Sequence, residues 1–189
     1  MYLTLVMLAI TGCSSSNLFS IGGAEATGLA FMHDRRSSKI MFNDEGIENK
    51  AAIKLALSDL PDTHFNVTSY NGMVLITGEV PDEQSRKTAA EIVSLVADVK
   101  LVHNELVIAD PSSFKRRTED TGITIEVKGA LTNIQNIPGF DATRVKVITE
   151  SGSVFLMGLI RETESMQITE IVRRVPKIKK IVKVFEYIS

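Results

Sequence analysis

The chain has 189 residues, of which 44% are hydrophobic and 23% charged, which is the composition of an ordinary globular protein with one or two domains. Its single cysteine excludes a disulfide framework and a cysteine-based metal site. The net charge of −2 hides an asymmetry, since the part before Lys115 is net acidic and the part from Lys115 onward is net basic. The two parts are therefore expected to face different partners.

The first predicted element is a short apolar run at residues 3–10 that leads into Ile10-Thr11-Gly12-Cys13. The run is well below the ~20 residues that a spanning helix needs, and it suits the hydrophobic region of a signal peptide. A small residue, a glycine and a cysteine in this order resemble the lipobox of bacterial lipoproteins. The resemblance implies a signal peptide at residues 1–12 and acylation, with palmitate among the chains, at Cys13. No Lys or Arg precedes Cys13, and the alternative is a cytosolic protein with a buried N-terminal strand.

The next segment, residues 13–44, is rich in Ser, Gly and Ala and has no strong periodicity. This composition predicts a lipidated, flexible tether. Within it, Asp34, Arg35 and Arg36 are predicted to form a solvated loop.

An internal repeat follows the tether. The pattern of strand, tight turn and strand around Asn71-Gly72 returns around Ser151-Gly152, and both second strands end in a glycine, at Gly78 and Gly158. Asn-Gly is the strongest short signal for a type I′ hairpin, because both central residues need a positive φ.

Helical spacing of apolar residues flanks each hairpin. A helix is predicted to end before Pro61 in the first copy, and one with Ile123, Val127 and Leu131 on its core face is predicted to end at Pro138-Gly139 in the second. Acidic entries at residues 82 and 162 predict the second helices, and final strands are expected at 100–108 and 180–188. The predicted fold class is α+β: two tandem αββαβ modules at residues 45–110 and 115–189, each a small three-stranded mixed sheet with two helices on one face.

This order of elements resembles the BON domain of bacterial envelope proteins. The lipobox, Asp-Arg-Arg-Ser at residues 34–37 and two such modules are together similar to the dual BON-domain outer-membrane lipoproteins of the DolP/YraP type. The resemblance implies a lipid-anchored protein of the outer membrane that faces the periplasm and supports envelope integrity and cell division. It also implies that the second module binds anionic phospholipid through its first helix and the adjoining loop.

The candidate lipid-binding residues are those on the helix face turned away from the core and the large hydrophobic residues of the loop that follows: Gly122, Ile125, Lys128, Gly129, Thr132, Ile134, Ile137 and Phe140. In the family this face carries apolar or aromatic residues, and here Gly122 stands where a Trp is expected. The alternative is that the loop residues pack into their own core. The basic run Lys115-Arg116-Arg117 suits an anionic surface, and the alternative is a solvated charged face.

No catalytic motif and no cofactor-binding motif is present, so an enzyme is not expected. His33, His64 and His103 are predicted to lie in the tether, a loop and a strand without ligands at metal-binding spacing, so no metal site is expected either. Two alternatives remain. One is a periplasmic adaptor whose acidic first module binds a cell-division or outer-membrane assembly protein, and the other is a periplasmic stress protein without the anchor. Nucleic acid is not an expected partner.

Overall fold

The structure, a computed structural model, describes residues 34–60, 63–135 and 137–189, which lie in one compact unit spanning His33–Ser189. The predicted signal peptide and the acylation site at Cys13 lie outside the described residues. Among the described residues, no helix is long and apolar enough to cross a bilayer.

Each module follows the predicted order of helix, hairpin, helix and strand. The first contains α1 (Ser38–Ala56), β1 (His64–Tyr70), β2 (Met73–Val80), α2 (Glu83–Ser94), β3 (Leu101–Asn104) and β4 (Val107–Ile108). The second contains α3 (Phe114–Thr132), a 3₁₀ turn (Ala142–Arg144), β5 (Lys146–Glu150), β6 (Ser153–Arg161), α4 (Glu162–Val172) and β7 (Lys180–Ile188). The predicted α+β class with two tandem modules is confirmed.

Both hairpins have the two-residue turns that their sequences indicate. Tyr70 pairs directly with Met73, and the residues between them, Asn71 and Gly72, have φ values of 53° and 78°. The second turn, Ser151-Gly152, has nearly the same φ values of 52° and 80°. Positive φ at both central residues is the type I′ geometry that matches the twist of the strands.

In each sheet the second hairpin strand is central. β2 pairs antiparallel with β1 and parallel with β3 and β4, and β6 pairs antiparallel with β5 and parallel with β7. The last strand of the first module was predicted as one segment at residues 100–108, but it divides into β3 and β4. The side chain of Asn104 causes the break, because its oxygen accepts from the Leu106 N–H at 3.2 Å and its amide donates to the Arg86 carbonyl.

The helices of each module cover one face of its sheet. In the first module Val74 and Ile76 of β2 pack with Ile47 of α1 and Val93 of α2. In the second, residues of β5, β6 and β7 pack with Ile123, Val127 and Leu131 of α3, the core face predicted for that helix, and with Ile168 and Val172 of α4.

The opposite faces of the two sheets pack against each other. Met73 and Leu75 alternate with Val74 and Ile76 along β2, and they meet Phe155, Met157 and Val184 of the second module in a third apolar cluster that also contains Tyr70. The layers are therefore helices, sheet, sheet and helices. Because its sheet is covered on both faces, β2 is buried along its whole length.

The first module begins earlier than predicted. Helix α1 starts at Ser38, inside the segment assigned to the tether at residues 13–44, and the hydroxyl of Ser37 accepts from the Ile40 N–H. The apolar periodicity of this first part of the helix is weak, which is why the sequence pattern missed it. Helix α3 ends at Thr132, before the predicted end at Pro138-Gly139.

Candidate functional site

The exposed side of α3 carries two large apolar side chains on one line. Phe114 is 83% exposed and Ile125 is 47% exposed. They are separated by about three helical turns, so they lie on the same face, opposite the buried Ile123 and Val127. We call this side of α3, from Phe114 to Thr132, the outer face of α3.

The outer face also carries threonines whose hydroxyls are already bonded to the helix backbone. Thr118 donates to the Phe114 carbonyl at 3.0 Å, Thr121 to Arg117 at 2.9 Å and Thr132 to Lys128 at 2.9 Å. A threonine whose hydroxyl is bonded four residues back has little further need of water. The outer face is therefore less polar than its composition suggests.

Basic side chains accompany this apolar line. Lys115, Arg116 and Arg117 are exposed in the first turns of α3, and Lys128 is exposed near its end. On a helical wheel Arg117 and Lys128 fall on one flank of the line from Phe114 to Ile125, whereas Glu119 and Glu126 fall on the other. The helix thus presents an apolar stripe with a cationic border.

The two glycines of the predicted site leave open space. Apart from the neighbouring residues and nearby backbone of the same helix, a Cβ atom at Gly122 or Gly129 would have no heavy atom within 4 Å. Nothing in the fold requires glycine at either position, so the position where the family resemblance implies a Trp can accept a larger side chain.

The loop after α3 differs from its predicted role as an insert. Ile137 is only 7% exposed and belongs to the core of the second module, while Ile134 and Phe140 are partly buried against that core. Ile137 as a lipid-contacting residue is therefore wrong, because it fills the space between α3 and the sheet.

Sequence reasoning missed Phe114 because the predicted second module begins at residue 115. The signal was nonetheless present. Ser113 is the N-cap of α3, with its hydroxyl accepting from the Arg116 N–H at 3.3 Å. A serine at the N-cap position predicts that the helix begins at the next residue, Phe114. Phe114 precedes Ile125 by about three helical turns, so it falls on the same outer face.

The segment at residues 34–37, predicted as a solvated loop, binds to both modules, which makes that prediction wrong. The guanidinium of Arg35 donates to both carboxylate oxygens of Glu164 at 2.7 and 2.8 Å and to the Leu159 carbonyl at 2.6 Å. This contact lowers the pKa of the Glu164 carboxyl below its usual range, first through the hydrogen bond from Arg35. The second module is thereby joined to a segment that precedes the first.

The neighbouring Arg36 binds within the first module. It forms ion pairs with Asp34 and Asp44 at 2.8 and 2.7 Å, and its guanidinium lies 3.6 Å from the centre of the Tyr70 ring. Burial, with the charge of Asp34 adding to it, raises the pKa of Tyr70 to about 12.

A cluster of three ionisable side chains also lies between the modules. Nδ1 of His64 is 3.2 Å from an oxygen of Glu79, and one ligand atom from each of His64, Glu79 and Glu150 lies within 4.8 Å of the others. The sequence did not predict this group, because its members come from β1, β2 and β5 and share no local spacing. His103 lies on β3, and His33 lies outside the described residues.

Comparison with known proteins gives a consistent match. The BON domain family model matches residues 43–110 and 119–189. The chain is 32% identical over 170 residues to outer membrane lipoprotein DolP of Haemophilus influenzae, covering 89% of this chain and 86% of that protein. It is 29% identical over 158 residues to a 21 kDa hemolysin of Actinobacillus pleuropneumoniae, covering 82% and 80%.

Among solved structures, one of CdsD, a structural protein of the type III secretion system of Chlamydia trachomatis, covers 78% of this chain and 92% of its own. Its sequence identity is 11% and its TM-score 0.32. That likeness is too weak to bear on fold or function.

Proposed function

The chain belongs to the BON domain family, as a dual-BON protein of the DolP/YraP type, and from this premise we propose that it is an outer-membrane lipoprotein whose second module binds anionic phospholipid through the outer face of α3. The observation that carries the proposal is the exposed pair Phe114 and Ile125 on one line of a helix with a cationic border. An acyl chain at Cys13 would hold the protein at the periplasmic side of the outer membrane, and this contact would support envelope integrity and cell division there.

Physical arguments support an interfacial position of α3. An amphipathic helix binds a bilayer by burying its apolar side among the acyl chains and placing basic side chains near the headgroups. Each Lys or Arg close to an anionic surface contributes about 1 kcal/mol. Arg117 and Lys128, on the cationic flank, would therefore contribute about 2 kcal/mol beyond the burial of Phe114 and Ile125, and this part depends on lipid charge.

The contributing residues differ from those expected from the sequence. Phe114, Ile125 and Lys128 form the proposed contact, with Gly122, Gly129 and Thr132 lining it. Ile134 and Phe140 would contribute only their exposed parts, since both pack against the core. Anchoring by an acyl chain raises the effective concentration of α3 at the membrane, so a weak contact is sufficient.

A vesicle co-sedimentation assay on residues 33–189 tests this proposal without the acyl anchor. Binding is expected to vesicles that contain anionic phospholipid, to be weak on zwitterionic vesicles, and to fall as salt is raised. Replacing both Phe114 and Ile125 by Ala should weaken binding about tenfold, the equivalent of losing partial burial of two large side chains.

The matched control is Ile53→Ala, which removes an isoleucine of α1 that is 59% exposed in the first module. It should leave binding unchanged. Equal binding to both kinds of vesicle, or an equal loss in the Ile53 variant, would contradict the proposal.

A second role is favoured by the outer edge of the first sheet. Leu101, Val107 and Ile108 on β3 and β4 are 50%, 46% and 54% exposed at an edge with unpaired strand positions. Such an edge can accept a strand of a partner. We propose, as the alternative function, a periplasmic adaptor that binds a cell-division or outer-membrane assembly protein there.

Photo-crosslinking in cells tests the adaptor role. A crosslinking residue at Val107 or Ile108 should capture one defined protein that a crosslinker at Leu95, which is 77% exposed on the neighbouring turn, does not capture. The same adducts from all three positions would contradict an edge-specific partner. Deleting a whole module is not a suitable test, because it would uncover the sheet face that holds Leu75 and Phe155.

A further inference from the structure

We propose that His64, Glu79 and Glu150 form a binding site for a divalent transition-metal ion such as Zn²⁺, which joins the two modules. His64 and Glu79 are directly opposed on β1 and β2 of the first module, and Glu150 ends β5 of the second. The three ligand atoms lie within 4.8 Å of one another. A site built in this way uses both modules and is incomplete in either one.

The geometry is close to that of a zinc site. Zinc takes imidazole nitrogen and carboxylate oxygen at about 2.0–2.2 Å, which in a tetrahedral site sets neighbouring ligand atoms about 3.4 Å apart. His64 Nδ1 and Glu79 Oε2 are already at 3.2 Å. A rotation of the Glu150 side chain that brings its carboxylate oxygen closer to the other two ligand atoms would complete three protein ligands and leave a fourth position for water.

The charge in this region also favours a cation. Glu79 is fully buried and Glu150 is 6% exposed. In the described part of the chain, the hydrogen bonds to these two carboxylates come from neutral groups, apart from His64: the Asn66 amide, the hydroxyls of Thr77 and Ser151 and the Ser112 N–H. Two buried carboxylates side by side are costly without a counter-charge, and a divalent ion supplies it.

The surroundings would hold the ligands in place. Asn66 donates to Glu150 at 2.7 Å, and Ser151 donates to Glu79 at 3.3 Å, so each module orients a carboxylate of the other. Outer contacts of this kind fix the direction of metal ligands. Ser112, which donates its N–H to Glu79 from the joint between the modules, also has a buried hydroxyl with no hydrogen-bond partner among the described residues. That hydroxyl is an additional polar group next to the site.

An ion can reach the site from solvent, because the His64 side chain is 22% exposed. A mostly buried site with one exposed ligand matches what metal exchange requires. Sequence spacing gave no indication of the site, since zinc motifs are recognised by ligands close in sequence and these three are drawn from three strands.

The test uses the full chain in detergent, without a histidine tag and treated first with a chelator. Titration with ZnCl₂, followed by calorimetry and by competition with a chromophoric chelator, should show one ion per chain. His64→Gln and Glu150→Gln should each weaken binding at least tenfold. His103→Gln and Glu119→Gln, which alter described residues outside the site, should not. Absence of binding, or binding that the His64 and Glu150 variants leave unchanged, would overturn the proposal.

Two further readouts separate a built site from surface binding. Co²⁺ in place of Zn²⁺ should give visible absorption bands of a low-coordinate site, and Glu150→Gln should abolish them. Zn²⁺ should also slow amide hydrogen exchange in β1 and β5 together, and slowing in only one module would contradict the joining role. If His64→Gln does not fold, Glu150→Gln carries the test, because it removes a buried charge while preserving shape.

Discussion

Asp44 and Asp120 hold the same position in the two modules, each on the first helix and each with its carboxylate on the hairpin turn of its own module. Asp44 accepts from the N–H groups of Asn71 and Gly72, both at 2.8 Å. Asp120 accepts from those of Ser151 and Gly152 at 2.9 and 2.8 Å. Both carboxylates are buried. In each module the aspartate carboxylate on the first helix therefore accepts two hydrogen bonds from backbone N–H groups of the hairpin turn, and these bonds hold the helix against the sheet.

Replacing Asp120 by Ala should lower the free energy of unfolding by about 2–4 kcal/mol, because two charge-assisted hydrogen bonds are lost and buried N–H groups are left unsatisfied. Urea unfolding measures this. The neighbouring Glu119→Ala, an exposed position on the same helix, is the control and should cost less than about 0.5 kcal/mol. Equal costs in the two variants would refute the role assigned to Asp120.

The ion pair of Arg35 and Glu164 should make stability depend on pH in a defined direction. The folded-state pKa of Glu164 lies below its ordinary value of 4.5. Stability from this pair is therefore present above about pH 4.5 and is lost as pH falls through the lowered pKa. Arg35→Gln should cost about 2–4 kcal/mol at pH 7, and the difference from the unaltered chain should shrink as the pH falls below 4.5.

The control for this pair is Arg161→Gln. Arg161 lies 3.6 Å from the same carboxylate, but its side chain is 53% exposed. An exposed pair contributes at most about 1 kcal/mol, so this variant should show little pH dependence. A pH-independent loss in the Arg35 variant would indicate packing rather than charge.

Gly78 should not tolerate a side chain. A Cβ atom there would lie 1.9 Å from the carbonyl oxygen of His64, and its φ of +124° disfavours other residues. Gly78→Ala should destabilise the chain by about 3 kcal/mol or more, because backbone must move. Gly46 lies on helix α1, and a Cβ atom there would meet no heavy atom within 4 Å outside its own stretch of helix. Gly46→Ala should therefore stabilise the chain by about 0.5–1 kcal/mol. Thermal unfolding followed by circular dichroism compares the two.

A tryptophan at position 122 should strengthen membrane binding. Gly122 lies beside the outer face of α3 and has room for a side chain, and an indole ring suits the headgroup region. Gly122→Trp should raise the affinity for anionic vesicles several-fold. Gly46→Trp places the same side chain at the matching position of the acidic first module, and it should give no gain. A similar gain from both would show that hydrophobicity alone, rather than α3, directs binding.

The sequence predicted best what is encoded locally. Asn71-Gly72 and Ser151-Gly152 sit in the expected turns because their φ preferences need no distant partner. The core face of α3, with Ile123, Val127 and Leu131, followed from spacing alone. The start of α1 at Ser38 was missed because its first turns have no strong apolar repeat, and capping and tertiary contacts maintain them.

What sequence reasoning could not supply is the long-range pairing of charges. In the sequence Arg35 and Arg36 cannot be distinguished from a solvated basic pair. Their ion pairs with Glu164 and Asp44 exist only in the folded chain. His64 has the same difficulty, since its neighbour Glu150 belongs to the other module. The candidate membrane surface was predicted in part. Ile125 was anticipated from its position off the core face of α3, whereas Phe114 was missed because the predicted second module begins at residue 115.

The apolar cluster between the sheets has a consequence for how the chain unfolds. Leu75 and Met157 are almost completely buried, but only while both modules are present. Neither repeat is then a self-sufficient folding unit, in spite of the duplicated sequence. The two modules should unfold in one cooperative transition. A single module released by proteolysis would expose the apolar face of its sheet and would tend to self-associate.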